Sequence, residues 1–384
     1  SEEFVLGRNI DEAIKRGRSY AKQGYTFSFD MLGEAALTKQ DADRYFKAYA
    51  DAIEHLGKYI KPGKTIFQQP GVSVKLSALY PRYEFIDQER AIPELVSSLK
   101  QLALHARDLD IALTIDAEEA DRLDISLQIF KQVFVDSEFS SWEGLGLAVQ
   151  AYQKRAVPVV EWLVELAKAQ HKRIQVRLVK GAYWDTEIKQ AQMNSWFDYP
   201  VFTRKACTDV SFLACAKILL DSQQFIYPKF ATHNAHSVAA ILTYIEKTGC
   251  GNGVEFQNLQ GMGKSLHEQI LNRNIPCRIY APVGSHQELL PYLVRRLLEN
   301  GANTSFVNQI ANKDVNVEDL VADPVKLLLA YPSIRHDRIP LPIDIFQGRV
   351  NSRGINISCF DLLNELQEDA RSHWDKSYYA FPSN

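Results

Sequence analysis

Cysteine is scarce in this chain. Its five residues, Cys207, Cys215, Cys250, Cys277 and Cys359, form no CxxC pair and no zinc-like spacing. So odd and scattered a set argues against a disulfide framework and points to reduced thiols in a cytoplasmic setting. Long apolar runs are missing too, and none approaches the roughly 18 residues a membrane-spanning helix needs. Basic charge is not in excess: 44 Lys and Arg stand against 47 Asp and Glu, a net charge of −3. That balance argues against nucleic-acid binding through this chain. The start, SEEFVLGRNID, has neither the basic nor the apolar region of a signal peptide, and the missing initiator Met is expected of a fragment or a processed product. Patterned glycine is lacking as well. LGLAVQ and TGCGNGV do not make GxGxxG, and in QGMGKS the earlier glycine of a phosphate loop falls on Asn258. His233 and His236 have no carboxylate or cysteine complement, so no metal site is expected.

What is there is an ordinary globular composition, 46% hydrophobic and 24% charged, over 384 residues. That length buries one large core or two modest ones. Strand-like runs recur at 25–31, 72–79, 111–117, 145–152, 174–180, 228–234, 253–259 and 277–283. Helical periodicity falls near 9–23, 38–57, 90–109, 119–135, 153–171, 203–222, 235–248, 263–273 and 286–300. Strict alternation implies a parallel sheet, and eight such units imply an α/β fold of the (βα)8 TIM-barrel type.

Side-chain parity along the strands sharpens this. Val72, Val74 and Leu76 oppose Ser73, Lys75 and Ser77; Ile111, Leu113 and Ile115 oppose Ala112, Thr114 and Asp116; Ile174, Val176 and Leu178 oppose Gln175, Arg177 and Val179. The apolar faces are expected under the helices and the polar ones inside the barrel. Lys75, Asp116, Gln150, Arg177, Thr232, Leu259 and Tyr280 then converge on the rim where barrel enzymes hold their chemistry. The bland alternative is an internal ion network in which Asp116 and Glu118 neutralise Lys75 and Arg177.

The segment LLPYLVRRLLENG at 289–301 puts apolar residues on one helix face and Tyr292, Arg295, Arg296 and Glu299 on the other. Neighbouring arginines are forked donors suited to a carboxylate or phosphate. They diverge by about 100° on a helix. For both to reach one anion, this last helix must lie over the barrel mouth rather than on its outer wall. These residues alone point to a barrel enzyme for an anionic ligand. A lyase using Lys75 or Lys180 as a Schiff base, or a non-catalytic scaffold, stays open at this point.

The motifs DMLGEAAL (30–37), VSVKLSALYPRY (72–83), IDAEEADRL (115–123), VQAYQKR (149–155), VRLVKGAYWD (176–185), FATHNAH (230–236), RIYAPVG (278–284) and LVRRLLENGANTSFVN (293–308) follow one another in this order. Together they resemble the proline dehydrogenase domain of the proline utilization A flavoenzymes, over about residues 1 to 345. The tail IPLPIDIFQGRVNSRGINIS resembles the connector that leads toward an aldehyde dehydrogenase domain in bifunctional members. The expected organisation is an N-terminal helical segment at 1–24, the barrel at 25–310 and an extension at 311–384.

The resemblance implies oxidation of L-proline to Δ1-pyrroline-5-carboxylate, the first step of proline catabolism to glutamate. Noncovalent FAD would accept hydride from proline C5 at N5 and pass electrons to a membrane quinone, at the inner face of the membrane. By motif, Lys75, Arg295 and Arg296 would bind the proline carboxylate, with Glu34 pairing with Arg295 as a gate. Tyr183, Leu259 and Tyr280 would enclose the ring, and Asp116 would order the polar floor. Arg177 would lie near the flavin N5 and Gln150 near its pyrimidine side. Val179, Lys180, Gly181, Ala182, Tyr183 and Trp184 would hold the rest of the cofactor. Thr232, His233, Asn234, Gln257, Leu259 and Glu299 would complete its surroundings.

Overall fold

The structure, a computed structural model, describes residues 4–251, 253–285, 289–301, 322–346, 348–349 and 351–380; the side chains of 291 and 297–301 lie outside that description. Its strands are β1 (Thr26–Met31), β2 (Gly71–Val74), β3 (Ala112–Ile115), β4 (Leu145–Gln150), β5 (Ile174–Val179), β6 (Ile226–Ala231), β7 (Glu255–Leu259) and β8 (Cys277–Val283). They pair in sequence order, all parallel, and β8 returns to β1 to close the barrel. The helices are α1 (Ile10–Lys22), α2 (Lys39–Gly57), α3 (Gln88–Asp108), α4 (Leu123–Phe134), α5 (Ala156–Ala169), α6 (Trp184–Met193), α7 (Lys205–Asp221), α8 (Ala235–Thr248), α9 (Lys264–Leu271), α10 (Leu289–Gly301), α11 (Pro324–Ala330) and α12 (Phe360–His373). The expected (βα)8 architecture is the observed one.

Parity explains the core. Val72, Val74, Leu113, Ile115, Leu145, Val176 and Leu178 are buried against Leu95, Leu99, Ile129, Leu163 and Phe212 of the surrounding helices. Each such side chain contributes about 1.5–3 kcal/mol when fully buried. Helix starts follow local chemistry: Asn9 caps α1, Thr38 and Asp41 form a reciprocal box at α2, and Asn234 caps α8.

Some boundaries differ from the sequence reading. The run at 72–79 stops being strand at Val74, and Leu76–Ala78 forms a 3₁₀ turn. There side chains replace ladder partners: Ser77 N donates to Glu118 Oε2 at 3.1 Å, and Ala35 N donates to Ser77 Oγ at 3.0 Å. The helices α6, α11 and α12 were not among the expected segments. Within the C-terminal extension, α11 packs on α7. Arg204 holds the chain that follows it, donating to the carbonyls of Ser333 (3.1 Å) and Arg335 (2.9 Å).

The barrel interior departs from the usual layers of branched aliphatics. Arg278 of β8 lies at its centre with every guanidinium donor placed. Nε and Nη2 reach Glu255 (2.7 and 3.1 Å), Nη1 reaches the carbonyls of Phe27 and Gln69 (2.9 Å each), and Nη2 also reaches Phe67 O at 2.6 Å. Lys229 of β6 stands in register between Arg177 and Glu255. It is 2% exposed, and among the described residues it has no ion-pair partner. Burial pushes its amine down to about 7, against the pull of Glu255.

The last helix lies where two adjacent arginines require it. Leu289 and Tyr292 of α10 pack with Val5, Leu32 and Tyr280, residues at the open ends of β1 and β8. The helix therefore covers the barrel mouth.

Candidate active site

Four strands deliver charge to one point. Lys75, just past β2, is 5% exposed and donates to Asp30 Oδ1 (2.7 Å), Asp116 Oδ2 (3.2 Å) and the Tyr280 hydroxyl (3.3 Å). These use all three donors of an ammonium group. Burial alone would lower its pKa, but Asp30, Tyr280 and Asp116 hold it well above the ordinary value, so Lys75 is a cation. Asp116 accepts from Arg177 Nη1 at 2.5 Å and from the Tyr280 hydroxyl at 2.6 Å. Burial opposes its charge, yet Lys75 and Arg177 keep its carboxyl below the usual range. Burial and the charge of Asp116 raise Asp30, with Lys75 pulling the other way. The Tyr280 phenol is pushed far up by burial and by Asp116, so it serves as a neutral donor.

Arg177 is the most constrained member. Nε donates to Gln257 Oε1 (2.8 Å), Nη1 to Asp116, and Nη2 to the hydroxyls of Ser28 (3.1 Å) and Ser73 (2.9 Å). Four of its five N–H groups are thus held by protein, leaving one on Nη1 beside Asp116. Its guanidinium carbon lies 5.1 Å from the Tyr280 ring centroid.

Above this floor, Arg295 makes a two-pronged pair with Glu34 at 2.6 and 2.7 Å and sits 5.2 Å from the Tyr183 ring centroid. Burial works against both charges, but the pairing lowers Glu34 and raises Arg295. Arg296, 7% exposed, lies 5.0 Å from the Tyr292 ring centroid and is close enough to His233 to act on its charge. Tyr280 touches the floor through Lys75 and packs with Leu289 and Tyr292 of the roof helix, so the two layers face one another.

The loop after β5 forms one side. Gly181 has φ +134°, and a Cβ there would fall 2.4 Å from the Tyr152 ring, so only glycine lets this backbone lie flat on Tyr152. Gly181 and Ala182 are exposed, and no side chain caps α6 immediately beyond them. Such a helix start presents open N–H groups to an anion. Gln150, at the end of β4, joins this loop to the segment after β3, donating to Glu118 O at 2.8 Å and accepting from Ala182 N at 3.4 Å. Val179 O accepts from Ala151 N at 2.8 Å. Trp184 Nε1 donates to Phe202 O at 2.9 Å, and Lys180 is bound to Asp209 of α7. The exposed loop, the uncapped helix and the aromatic pair Tyr183 and Trp184 fit a dinucleotide with a phosphate bridge.

On the opposite side, Thr232 Oγ1 accepts from Asn234 N at 3.2 Å, and Asn234 Oδ1 caps α8 by accepting from Ser237 N at 2.9 Å. His233 is held neutral, its pKa pushed down to about 3 by burial, His267 and Arg296. Its Nε2 accepts from Leu259 N at 3.0 Å and so fixes the Leu259 backbone. Gln257 lies behind Arg177 rather than at the open surface, 1% exposed. The side chain of Glu299 lies outside the described residues.

Two corrections concern partners. Glu118 does not neutralise Lys75 or Arg177; it binds Ser77 N and Arg122, each at 3.1 Å. Asp30 takes that place. Its inward position, though not its partner, follows from the sequence: in TFSFDM the inward parity of Ser28 extends to Asp30. Glu255, Arg278 and Lys229 were passed over although they share the inward parity of their strands.

Comparison with known proteins agrees with this geometry. The family model described as proline dehydrogenase matches residues 13–309. The bifunctional protein PutA of Salmonella typhimurium is 48% identical over 99% of the chain, and that match spans 30% of the relative's length. The bifunctional PutA of Escherichia coli is 50% identical over 93% of the chain and 28% of its own length. Proline dehydrogenase 1 of Bacillus subtilis is 26% identical over 79% of the chain and 88% of its own length. A crystal structure of Bradyrhizobium japonicum proline utilization A superposes with a TM-score of 0.89 at 49% identity, covering 97% of this chain and 38% of that one. The chain thus spans about a third of the length of the bifunctional relatives it matches.

Proposed function

The chain belongs to the proline dehydrogenase family, and on that premise we propose that it oxidises L-proline to Δ1-pyrroline-5-carboxylate with FAD. The observation that carries this reading is the closed set of Lys75, Asp116, Arg177 and Tyr280 beneath the Arg295–Glu34 pair. It is a small cationic chamber with one aromatic wall, suited to a compact ring bearing a carboxylate.

The chain's own residues divide the work. Arg295 and Arg296 hold the substrate carboxylate, Arg295 by exchanging Glu34 for it, which makes the pair a gate. Lys75 reaches the same carboxylate only by giving up one of its three present partners. Surrounding cations disfavour a protonated substrate amine, so proline is held with its nitrogen lone pair available. Tyr280, Tyr183 and Leu259 exclude water from the ring. Gly181, Ala182 and the start of α6 hold the cofactor's phosphates, with Tyr183 and Trp184 beside them. The chemistry such a flavin supplies when bound is acceptance of the hydride leaving proline C5, with the electron pair then delivered to a membrane quinone. Arg177 would place fixed positive charge beside the bound flavin and so favour its reduced form. The proposal extends to a cytoplasmic site of action at the membrane face and to an aldehyde dehydrogenase domain as partner in the longer polypeptide. No described helix is long and apolar enough to cross a membrane.

A Schiff-base lyase is disfavoured by the same geometry. It needs a free neutral lysine at the mouth; Lys75 is fixed as a cation, and Lys180, although burial lowers its amine, is tied to Asp209 of α7. The deciding experiment is an absorbance spectrum of the FAD-loaded chain before and after anaerobic L-proline. Bleaching of the flavin bands supports the reaction; persistent bands reject the substrate, and failure to take up FAD rejects the cofactor.

One substitution assigns the carboxylate anchor. Arg296→Met should raise the KM for proline about 10- to 100-fold, the loss of one charge-assisted bond of roughly 1.5–3 kcal/mol. Flavin content should hold. Steady-state kinetics beside a flavin assay checks this, and lost flavin with an unchanged KM would reassign Arg296 to the cofactor.

A further inference from the structure

We propose that Gln257, Glu255 and Arg278 are positioning residues that orient the Arg177 guanidinium and thereby set the reduction potential of the bound flavin. The inference rests on the reading of Arg177 given above.

The argument begins with an ambiguity of glutamine. The two ends of its amide are nearly equal in size, so nothing steric decides which faces a neighbour. Arg177 Nε–H needs an acceptor; an NH₂ turned toward it would leave two donors face to face in a buried site. Here Gln257 Nε2 donates to Glu255 Oε1 at 2.6 Å, which turns Oε1 toward Arg177 Nε at 2.8 Å. Glu255 is able to make that choice only as a carboxylate. Burial opposes its charge, and Arg278 and Lys229 lower its pKa to preserve it. Arg278 in turn cannot swing away, because the carbonyls of Phe27, Phe67 and Gln69 hold its other donors.

The chain of bonds therefore runs from the barrel's fixed backbone to the Arg177 guanidinium. Asp116 fixes Arg177 from the other end. Without the Gln257 acceptor, the guanidinium keeps its charge and its bonds to Asp116, Ser28 and Ser73 but loses the one that fixes Nε, and the group can tilt about the remaining contacts. A charge aimed at a group that becomes anionic on reduction favours the reduced state, and its orientation counts for most in a buried site.

The test uses the FAD-loaded chain and two variants. Gln257→Met keeps the side-chain volume and leaves the Glu255–Arg278 pair intact. Glu255→Met/Arg278→Met removes both partners together, so neither is left as a lone buried charge, and Lys229, already shifted toward its neutral form, becomes more so. Potentials are measured by anaerobic dithionite titration, which needs no proline. The expected result is a roughly tenfold loss of preference for reduced flavin, about 30 mV more negative for a two-electron couple. The KM for proline should move by less than about twofold, because the carboxylate anchors lie on the other side of the mouth. A folded Gln257→Met variant with the parent potential overturns the inference, whatever the double variant does. A parent chain that is reduced by dithionite but not by proline sinks the proposed substrate while the potential still reports on the relay. A parent that takes up no FAD sinks both.

Discussion

Arg177→Met should slow reduction by proline about 10²–10³-fold, the usual loss when a preorganised donor is removed from a buried site. The limiting rate carries the effect, and the KM for proline should change far less. The physical reason is how completely the side chain is held: Gln257, Asp116, Ser28 and Ser73 fix four donors. That order is already present in the folded chain, so none of it must be created during the reaction. Methionine fills similar space but offers no charge, and Asp116 keeps Lys75 and Tyr280 as partners. Anaerobic stopped-flow reduction across a range of proline concentrations separates the two quantities. An unchanged limiting rate with a raised KM would move Arg177 into the group that binds the carboxylate.

Lys229→Met should stabilise the protein at pH 7 by on the order of 4 kcal/mol. The native amine titrates at about 7, whereas the unfolded one stays near its ordinary value of 10.5. Folding must therefore strip a proton from this lysine over most of the neutral and mildly basic range. The sign follows: the unfolded state binds more protons, so the penalty is full below pH 7 and disappears as pH rises through 10.5. The advantage of methionine should shrink along that same window. Denaturant unfolding of both chains at pH 7 and pH 10 checks it. An equal gain at the two pH values would show that better packing, and not the lost proton, is responsible.

How far the sequence could be read depended on what each feature repeats. Strand parity is periodic, so Val72, Val74, Leu113 and Val176 could be assigned to the outer layer and Ser73, Lys75 and Arg177 to the interior. The same rule reached Asp116 and Tyr280, and the two-arginine argument reached the position of α10. Pairing is not periodic. Nothing in the order of residues says that Lys75 meets Asp30, 45 positions earlier, or that Glu118 turns away to Arg122. Strand register decides the first and the 3₁₀ turn after β2 decides the second. Helix α6 was overlooked because it starts without a cap, and that open start is the property that suits it to phosphate.

The interior charges also bear on how this chain acquires its shape. Arg278 belongs to the last strand, yet its carbonyl partners lie in the first strand and in the turn before the second. Until β8 arrives, Glu255 lacks Arg278, and a barrel built only as far as β7 would enclose a carboxylate with Lys229 left as its cationic neighbour. An intermediate that stops at seven strands is thereby penalised, so the last strand is favoured to close the barrel as soon as β7 is in place. Circular permutants that keep β8 beside β1 in sequence should then fold faster than the natural order, which brings the two together last.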